Sequence, residues 1–297
     1  MSALTSANFQ QAIAKVIATE VQEAVVGELI MGNLIARAST SQGSQVGDTV
    51  NIPIGPVMTA NNIAEGGSVI LQTANLGNAS VVLTTHAEAS FQLPNAVEAI
   101  LTVNGASAHM DSAVKAIGEK IETDILTTAI LFTANTNVGT QGVALSEATI
   151  DAAELALFNA KVPAGQKYLI VTGSDYSTLR QIPRLTETRT AGPDAAVPAI
   201  RDGVITMVKS LQLFRSQFVL ASSGNRNLAF HRNSMALASA DLPTPNVGAL
   251  AAMTNIGGFS LRAVNSWDKD TLSEQWTIDT MYGVAPVRNS FAIQVLS

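Results

Sequence analysis

The residues of this chain that could do chemistry are few. Its three histidines, His86, His109 and His231, are far apart in the sequence, and there is no cysteine. Cysteine nucleophiles, disulfides and zinc ribbons are thereby excluded. The segment Val171-Thr172-Gly173-Ser174-Asp175-Tyr176 reads as strand, turn and helix, the setting of a hydrolase nucleophile. It lacks the G-x-S-x-G spacing, because Tyr176 stands two residues after Ser174. Ser174 is therefore expected to cap a helix rather than to attack a substrate. A remote alternative, a soluble oligomeric hydrolase using Ser174, predicts that Ser174→Ala abolishes activity but not assembly. No two histidines lie close together, and no acidic cluster has metal-ligand spacing. Glu119, Glu122 and Asp124 share one predicted helix and are expected to form its solvated face. Gly66-Gly67 and Gly257-Gly258 lack the phosphate-binding pattern and a following basic residue. Asn78-Ala79-Ser80 fits a glycosylation acceptor without a secretory context. No catalytic residue, cofactor or metal site is expected.

Charge is sparse and net acidic. Formal net charge is −6, and charged residues are 13% of the chain, about half the usual share. An acidic balance argues against a dedicated nucleic-acid binder, which presents a basic patch. Arg180, Arg184, Arg189 and Arg201 are interleaved with Glu187 and Asp202, which suits subunit contacts better than a DNA track. Arg184, Arg189 and Glu187 are thus candidate intersubunit charges. Mean hydropathy is +0.26, yet no continuous apolar run reaches the ~20 residues of a membrane span. The first residues lack the basic region of a signal peptide, so a cytoplasmic soluble chain is expected.

Hydrophobic spacing gives the elements. Phe9, Ile13, Val16, Ile17, Val21, Val25 and Leu29 recur at helical intervals and predict an amphipathic helix from Phe9 to Ile35, able to act as an arm on a neighbouring subunit. Between Arg37 and Lys115 there is no lysine or arginine, and the stretch alternates like β-structure. Strands are expected through Val50 and Ile52, broken at Pro53, then at Ser68–Thr73, Ala79–Thr85 and Ala89–Leu93. Exposed strand edges are normally protected by charge, so this ribbon is expected to be covered by its own chain or by a neighbour. Met110, Val114, Ile117, Ile121, Ile125 and Ala129 form the stripe of a long helix that begins near Asn104-Gly105 and ends near Phe132. Lys115 and Glu119 could pair on another face of it. Ser146 should cap a helix from Glu147 to about Lys161, with Ile150, Ala153, Leu157 and Phe158 inward. Tyr168–Val171 reads as a strand, with a helix from Gly173-Ser174-Asp175 onward. Leu185–Pro198 reads as a loop. Strands are expected at Ser210–Phe214, Phe218–Ala221 and Asn227–His231, a short helix at Asn233–Ala238, and β-structure from Phe259 onward.

The order of these features resembles one family. Gly47-Asp48-Thr49-Val50-Asn51-Ile52-Pro53 looks like the G-D-T-V-x-I-P start of the extended loop in tailed-phage major capsid proteins, and Val81–Thr84 with Ala89-Ser90-Phe91 resembles its return. Ile117, Glu119, Ile121, Asp124 and Ile125 are similar to the family's spine helix. Tyr168–Val171 with Asp175–Leu179 resembles the strand and helix of its axial domain. Arg201–Ile205 running into Leu213–Ser216 resembles its G-x-I turn and following strand, and Leu228–Ala238 resembles a segment just before its closing strands.

The resemblance implies an α+β chain with the Hong Kong 97-like capsid fold: an N-terminal arm at 1–38, an extended β-hairpin loop at 39–93, a peripheral domain at 94–146 and 264–297, and an axial domain at 147–263. It implies a non-enzymatic shell subunit located in the virion capsid, and in host cytoplasm during assembly. The implied partners are copies of itself in pentamers and hexamers, scaffolding, portal and cement proteins, and double-stranded DNA held without sequence specificity. No membrane partner is implied, and the chain is expected to begin close to the arm, without a processed extension. The subunit interface is expected at Phe9, Ile13 and Val16 of the arm and at Val50, Ile52, Ile70, Val82 and Leu83 of the loop. Some members weld subunits through a loop lysine; this loop has none, so a non-covalent shell is expected. An encapsulin-like bacterial compartment is the alternative within the same fold.

Overall fold

A computed structural model describes residues 29–40, 48–55, 58–63, 65–69, 71–72, 77–94, 105–182, 205, 207–221, 224–244, 249–256 and 259–297. The arm positions Phe9, Ile13 and Val16, the loop residue Ile70, and Arg184, Glu187 and Arg189 lie outside them. Elements are numbered in chain order over the described residues.

The first of two six-stranded sheets is built on one long strand, β13 (Ser273–Pro286). Along one edge of β13 lie β12 (Phe259–Asp268) and, end to end with it, β10 (Met235–Ala240). The outer neighbours are β11 (Ala249–Ile256), beside β12, and β1 (Ala36–Thr40), parallel to β10. The other edge of β13 carries β4 (Thr85–Pro94), paired from Tyr282↔Thr85 to Ser273↔Pro94. Residues 235–240 were expected to be partly helical, because Met-Ala-Leu-Ala-Ser-Ala is rich in good helix formers. They form a strand after a single 3-10 turn at Arg232–Ser234, and all six are buried. Tertiary pairing on both sides overrides the local preference, and the alanines let a second layer approach closely.

The long helix α2 (Gly105–Thr128) follows, after α1 (Met31–Leu34), a single turn. Val114, Ile117, Ile121, Ile125 and Ala129 are buried in one stripe, as their spacing predicts. They pack on Ile278 and Tyr282 of β13, Phe259 and Leu261 of β12, and Leu237 of β10. The helix's ion pair is Lys120 Nζ to Asp124 Oδ1 at 2.6 Å, and Asp124 Oδ2 also accepts the Tyr282 hydroxyl at 2.7 Å. That buried hydrogen bond, with desolvation as the larger cause, pushes the Tyr282 hydroxyl's pKa far above its ordinary value.

The second sheet orders β5 (Val138–Gly139), β14 (Ala292–Leu296), β9 (Arg226–His231), β6 (Lys167–Val171), β8 (Leu211–Arg215) and β7 (Met207–Val208). Both faces are buried, and alternate residues serve different cores. Tyr168, Ile170, Leu228, Phe230 and Ala292 face the spine side. Leu169, Val171, Ala229, Ile293 and Val295 face α3 (Glu147–Asn159) and α4 (Gly173–Leu179). Ser146 caps α3 by accepting the Thr149 N–H at 3.3 Å. Phe158 is not inward as expected; it is 73% exposed, because Ile150, Ala153 and Leu157 already fill the buried stripe.

Strands β10 to β12 belong to the first sheet with β13, whereas β14 crosses into the second beside β9. Residues Phe218–Leu220 form no strand, and Ala221 makes only an isolated bridge to Asn225. Strand β11 fell in a run that its low charge and mixed polarity left unassigned.

Candidate assembly interface

The hairpin opposite the first sheet is built from β2 (Thr49–Ile54) and β3 (Gly77–Val82), in register from Thr49↔Val82 to Ile54↔Gly77. Pro53 does not break β2, because a two-stranded ribbon has a free edge that needs no donor there. Alternation divides the ribbon into two faces. Val50, Ile52 and Val81, with Leu83 just beyond, pack on Ala236, Ala238 and Ala240 of β10 and Met281 of β13. Leu83 N donates to Asp48 O at 2.8 Å and closes the base. Here the backbone nearly touches the sheet: a Cβ on Gly283 would stand 2.0 Å from the Val82 carbonyl oxygen.

Leu83, expected at a subunit contact, is therefore fully covered by its own chain. Val50 and Ile52 are half-buried against the same cluster. Val82 points the other way and is 41% exposed. On that outer face Asn51 Oδ1 accepts from Asn78 Nδ2 at 2.9 Å and from Ser80 Oγ at 3.1 Å. Past the paired region, Met58, Ile63, Val69 and Leu71 are exposed, the last two at 75% and 92%. Thr59 N donates to Gln72 Oε1 at 3.0 Å, and Gln72 Nε2 returns a bond to Thr59 O. The described positions 68, 69, 71 and 72, expected in a strand, have no strand partner.

The groups screened for chemistry are engaged structurally. Thr172, not Ser174, caps α4, accepting the Asp175 N–H at 3.3 Å. The Ser174 hydroxyl meets Thr172 Oγ1 at 3.0 Å and Asn225 Nδ2 at 3.1 Å. His86 Nε2 contacts Asp279 Oδ2 at 2.9 Å, and Arg262 grips the same carboxylate through Nε at 2.9 Å and through Nη2. This rung ties β4, β13 and β12 together. His109 stacks on Phe91. His231 Nδ1 accepts the Asn233 N–H at 3.1 Å and its ring meets Phe291 edge-on. Burial, then Lys167 and Arg288, hold the His231 pKa below its ordinary value. Among the described residues no group of three metal-ligating side chains converges.

Two buried carboxyls escaped sequence reasoning. Asp175 Oδ2 accepts from Ser297 Oγ at 2.6 Å, Asn227 Nδ2 at 2.7 Å, Thr172 Oγ1 at 3.0 Å and Asn225 Nδ2 at 3.1 Å. The spacing Thr172-x-x-Asp175, that of a capping box with Asp for Glu, was its signal. Glu122 was expected on a solvated face, but it is 3% exposed. Its place one turn from both Gly118 and Leu126 on the buried side of α2 was legible. Glu122 Oε1 accepts the Gly32 N–H at 3.3 Å, and the N–H groups of Met31 and Ile30 also bond the carboxyl. Glu122 thereby fastens α1 to the spine. Beside it lies a cavity of about 430 Å³ lined by Lys115, Glu119, Arg215 and Phe218 among others.

Burial raises the Glu122 pKa to about 7, against the opposing pull of the three N–H bonds. The folded chain therefore holds this proton more tightly than the unfolded chain does. Stability contributed here is complete below the ordinary value of 4.5, falls as pH rises toward about 7, and is flat beyond. Glu122→Gln keeps an oxygen for Gly32 and removes the titration. In urea denaturation the variant should gain about 1–3 kcal/mol on wild type between pH 4.5 and pH 8. A pH-independent difference would show that this carboxyl stays ionised.

No family model and no curated protein sequence matches this chain. Solved structures do. A structure from Mycobacterium phage Che8 matches at TM-score 0.63 and 16% identity over 90% of each chain. The capsid structure of cyanophage P-SCSP1u matches at 0.61 and 14%, over 90% of this chain and 88% of that one. An encapsulin complex from Synechococcus elongatus matches at 0.50 and 10%, over 88% and 84%. The architecture shared with them is the Hong Kong 97-like capsid fold, α+β with a long helix. The chain has the fold of capsid and shell proteins.

Proposed function

We propose that this chain is the major capsid protein of a tailed bacteriophage, the self-assembling subunit of an icosahedral shell that encloses double-stranded DNA. The observation that carries this reading is the hairpin: its base is anchored on its own sheet while Val82, Val69 and Leu71 stay exposed. Exposed apolar residues on an unprotected ribbon call for a partner, and repetition of one contact around closed symmetry supplies it. The acidic balance suits a wall that does not grip DNA tightly. The phage reading is favoured over an encapsulin-like compartment by the better superposition on the two phage structures, at 0.63 and 0.61 against 0.50. Scaffolding, portal and cement proteins, and arm contacts through Phe9, Ile13 and Val16, belong to the same proposal.

Val82→Glu tests it. The side chain is on the outer face, so the subunit should fold with unchanged circular dichroism yet fail to form particles. Leu83→Glu, one residue on, should instead unfold the hairpin base. Normal particles from Val82→Glu would move the interface elsewhere. The absence of lysine from 38–114 predicts a second result. Mature particles boiled in detergent should run as one band at 30.9 kDa; a ladder of multiples would contradict the non-covalent shell.

A further inference from the structure

The chain crosses between its two sheets at two neighbouring places. One is the 3-10 turn Arg232–Ser234 between β9 and β10, the other a 3-10 turn at Asn289–Phe291 between β13 and β14. The N–H groups of Val287 and Arg288 both donate to Ser234 O, at 2.8 and 2.9 Å, and hold the crossings together. Each crossing brings a cation, Arg232 and Arg288. Lys167 joins them as the strand partner of His231, and Arg37 from β1, which runs beside β10. Burial and then Arg232 lower the Arg37 pKa, so these two guanidinium groups feel each other. His231 feels Lys167 and Arg288 in the same way, after burial.

No carboxylate answers this cluster. Among the described residues, the lysines and arginines that form ion pairs are Lys120, Lys209, Arg262 and Lys269. Arg37 donates to neutral oxygens, Gly32 O at 2.7 Å and Asn33 Oδ1. Arg288 lies over the Phe291 ring at 5.1 Å. Arg232 is exposed, and Arg37, Lys167 and Arg288 are half-buried, so all four keep access to solvent. Arg288 and the amide of Asn233 also line a cavity of about 170 Å³ against Ala36 and Pro53. Like charges gathered without a counter-charge repel, and a bound anion relieves that repulsion.

We propose that this patch is where the subunit touches the phosphodiester backbone of the enclosed double-stranded DNA. Three of the four cations are arginines, whose planar fork matches phosphate oxygens. The cluster spreads over two strands and two turns, wider than one anion needs, and it carries no helix to enter a groove, so contact is independent of sequence. On a chain of net charge −6 a single basic patch gives local contact without a tight hold. The partner comes from the shell reading, on which this proposal rests.

Fluorescence anisotropy of the dissociated subunit with labelled duplexes of two unrelated sequences tests it. Arg232→Gln combined with Arg288→Gln should weaken binding of both duplexes about tenfold at low salt. The slope of log K against log salt should become shallower by about 2, since each phosphate contact contributes about 0.9. Lys120→Gln combined with Lys209→Gln removes the same charge elsewhere and should leave both quantities near wild type. On wild type, bound duplex should shield Lys167 from acetylation and leave Lys269, 87% exposed, reactive. Equal losses in the two double variants, or no duplex binding by wild type, overturn the patch; wild-type particles that still form leave the shell reading standing. Displacement of duplex by inorganic phosphate at fixed ionic strength overturns it in favour of a single-anion site. A patch variant that binds duplex like wild type but no longer assembles overturns it in favour of carboxylates on a second copy. Wild type that binds duplex through the patch yet forms no particles supports the patch and contradicts the shell.

Discussion

Asp175→Ala is expected to cost about 2–6 kcal/mol of subunit stability. One oxygen of this side chain serves Asn227, Ser297, Asn225 and Thr172. Asn227 and Ser297 are buried, so removing the carboxylate strips a bond from each in a place that water does not reach, although Asn227 Nδ2 still meets Ser297 Oγ at 3.2 Å. Each lost bond to a buried donor costs about 1–3 kcal/mol, and two give about 2–6 kcal/mol. The loss is also mechanical, because Asp175 sits in the first turn of α4, and its partners lie on β9 and the residues flanking it, and at Ser297 after β14. Asp175→Asn, which keeps an acceptor, should lose less than half as much. Urea denaturation of the dissociated subunit measures both. Equal, small losses would show that the four donors find other partners.

Gly283→Ala should cost about 3 kcal/mol. The added carbon would meet the Val82 carbonyl oxygen at 2.0 Å and its carbon at 2.8 Å. Both are backbone atoms, so no rotamer relieves the clash, and overpacking of this kind costs about 1–3 kcal/mol or more. The strain can be released only by lifting the hairpin base from β13, which strips Val81 and Leu83 from the alanines of β10. Thermolysin should then cut at Val81 to Leu83 in Gly283→Ala but not in wild type. The hairpin contains no lysine or arginine, so trypsin would miss this change. Wild-type resistance in the variant would mean that hairpin and sheet are not in close apposition.

What could be read from the residues followed their physical reach. The stripe Val114, Ile117, Ile121, Ile125 gave α2 because a half-buried helix imposes its period on the sequence. Ser146 announced α3 because a cap is a local hydrogen bond. Tertiary choices were less visible. Met235–Ala240 has helical composition and becomes a strand only because β13 and β1 flank it. Glu122 looked solvated because its partners, the N–H groups of Ile30, Met31 and Gly32, are about ninety residues away in sequence. The stretch after Arg37, free of lysine and arginine, was recognisable as β-structure that needs cover, but it divides three ways. Leu83 is covered by its own chain, β4 joins the first sheet, and Val69 and Leu71 remain open. Periodicity alone could not apportion those roles, since all three segments have the same chemistry.

The proposed function requires that one chain close a shell with copies of itself. Size-exclusion chromatography of the full chain, followed by negative-stain imaging of the excluded fraction, tests it most directly. Uniform closed particles are expected, and Val82→Glu should abolish them. A compact small oligomer, unaffected by that substitution, would contradict it.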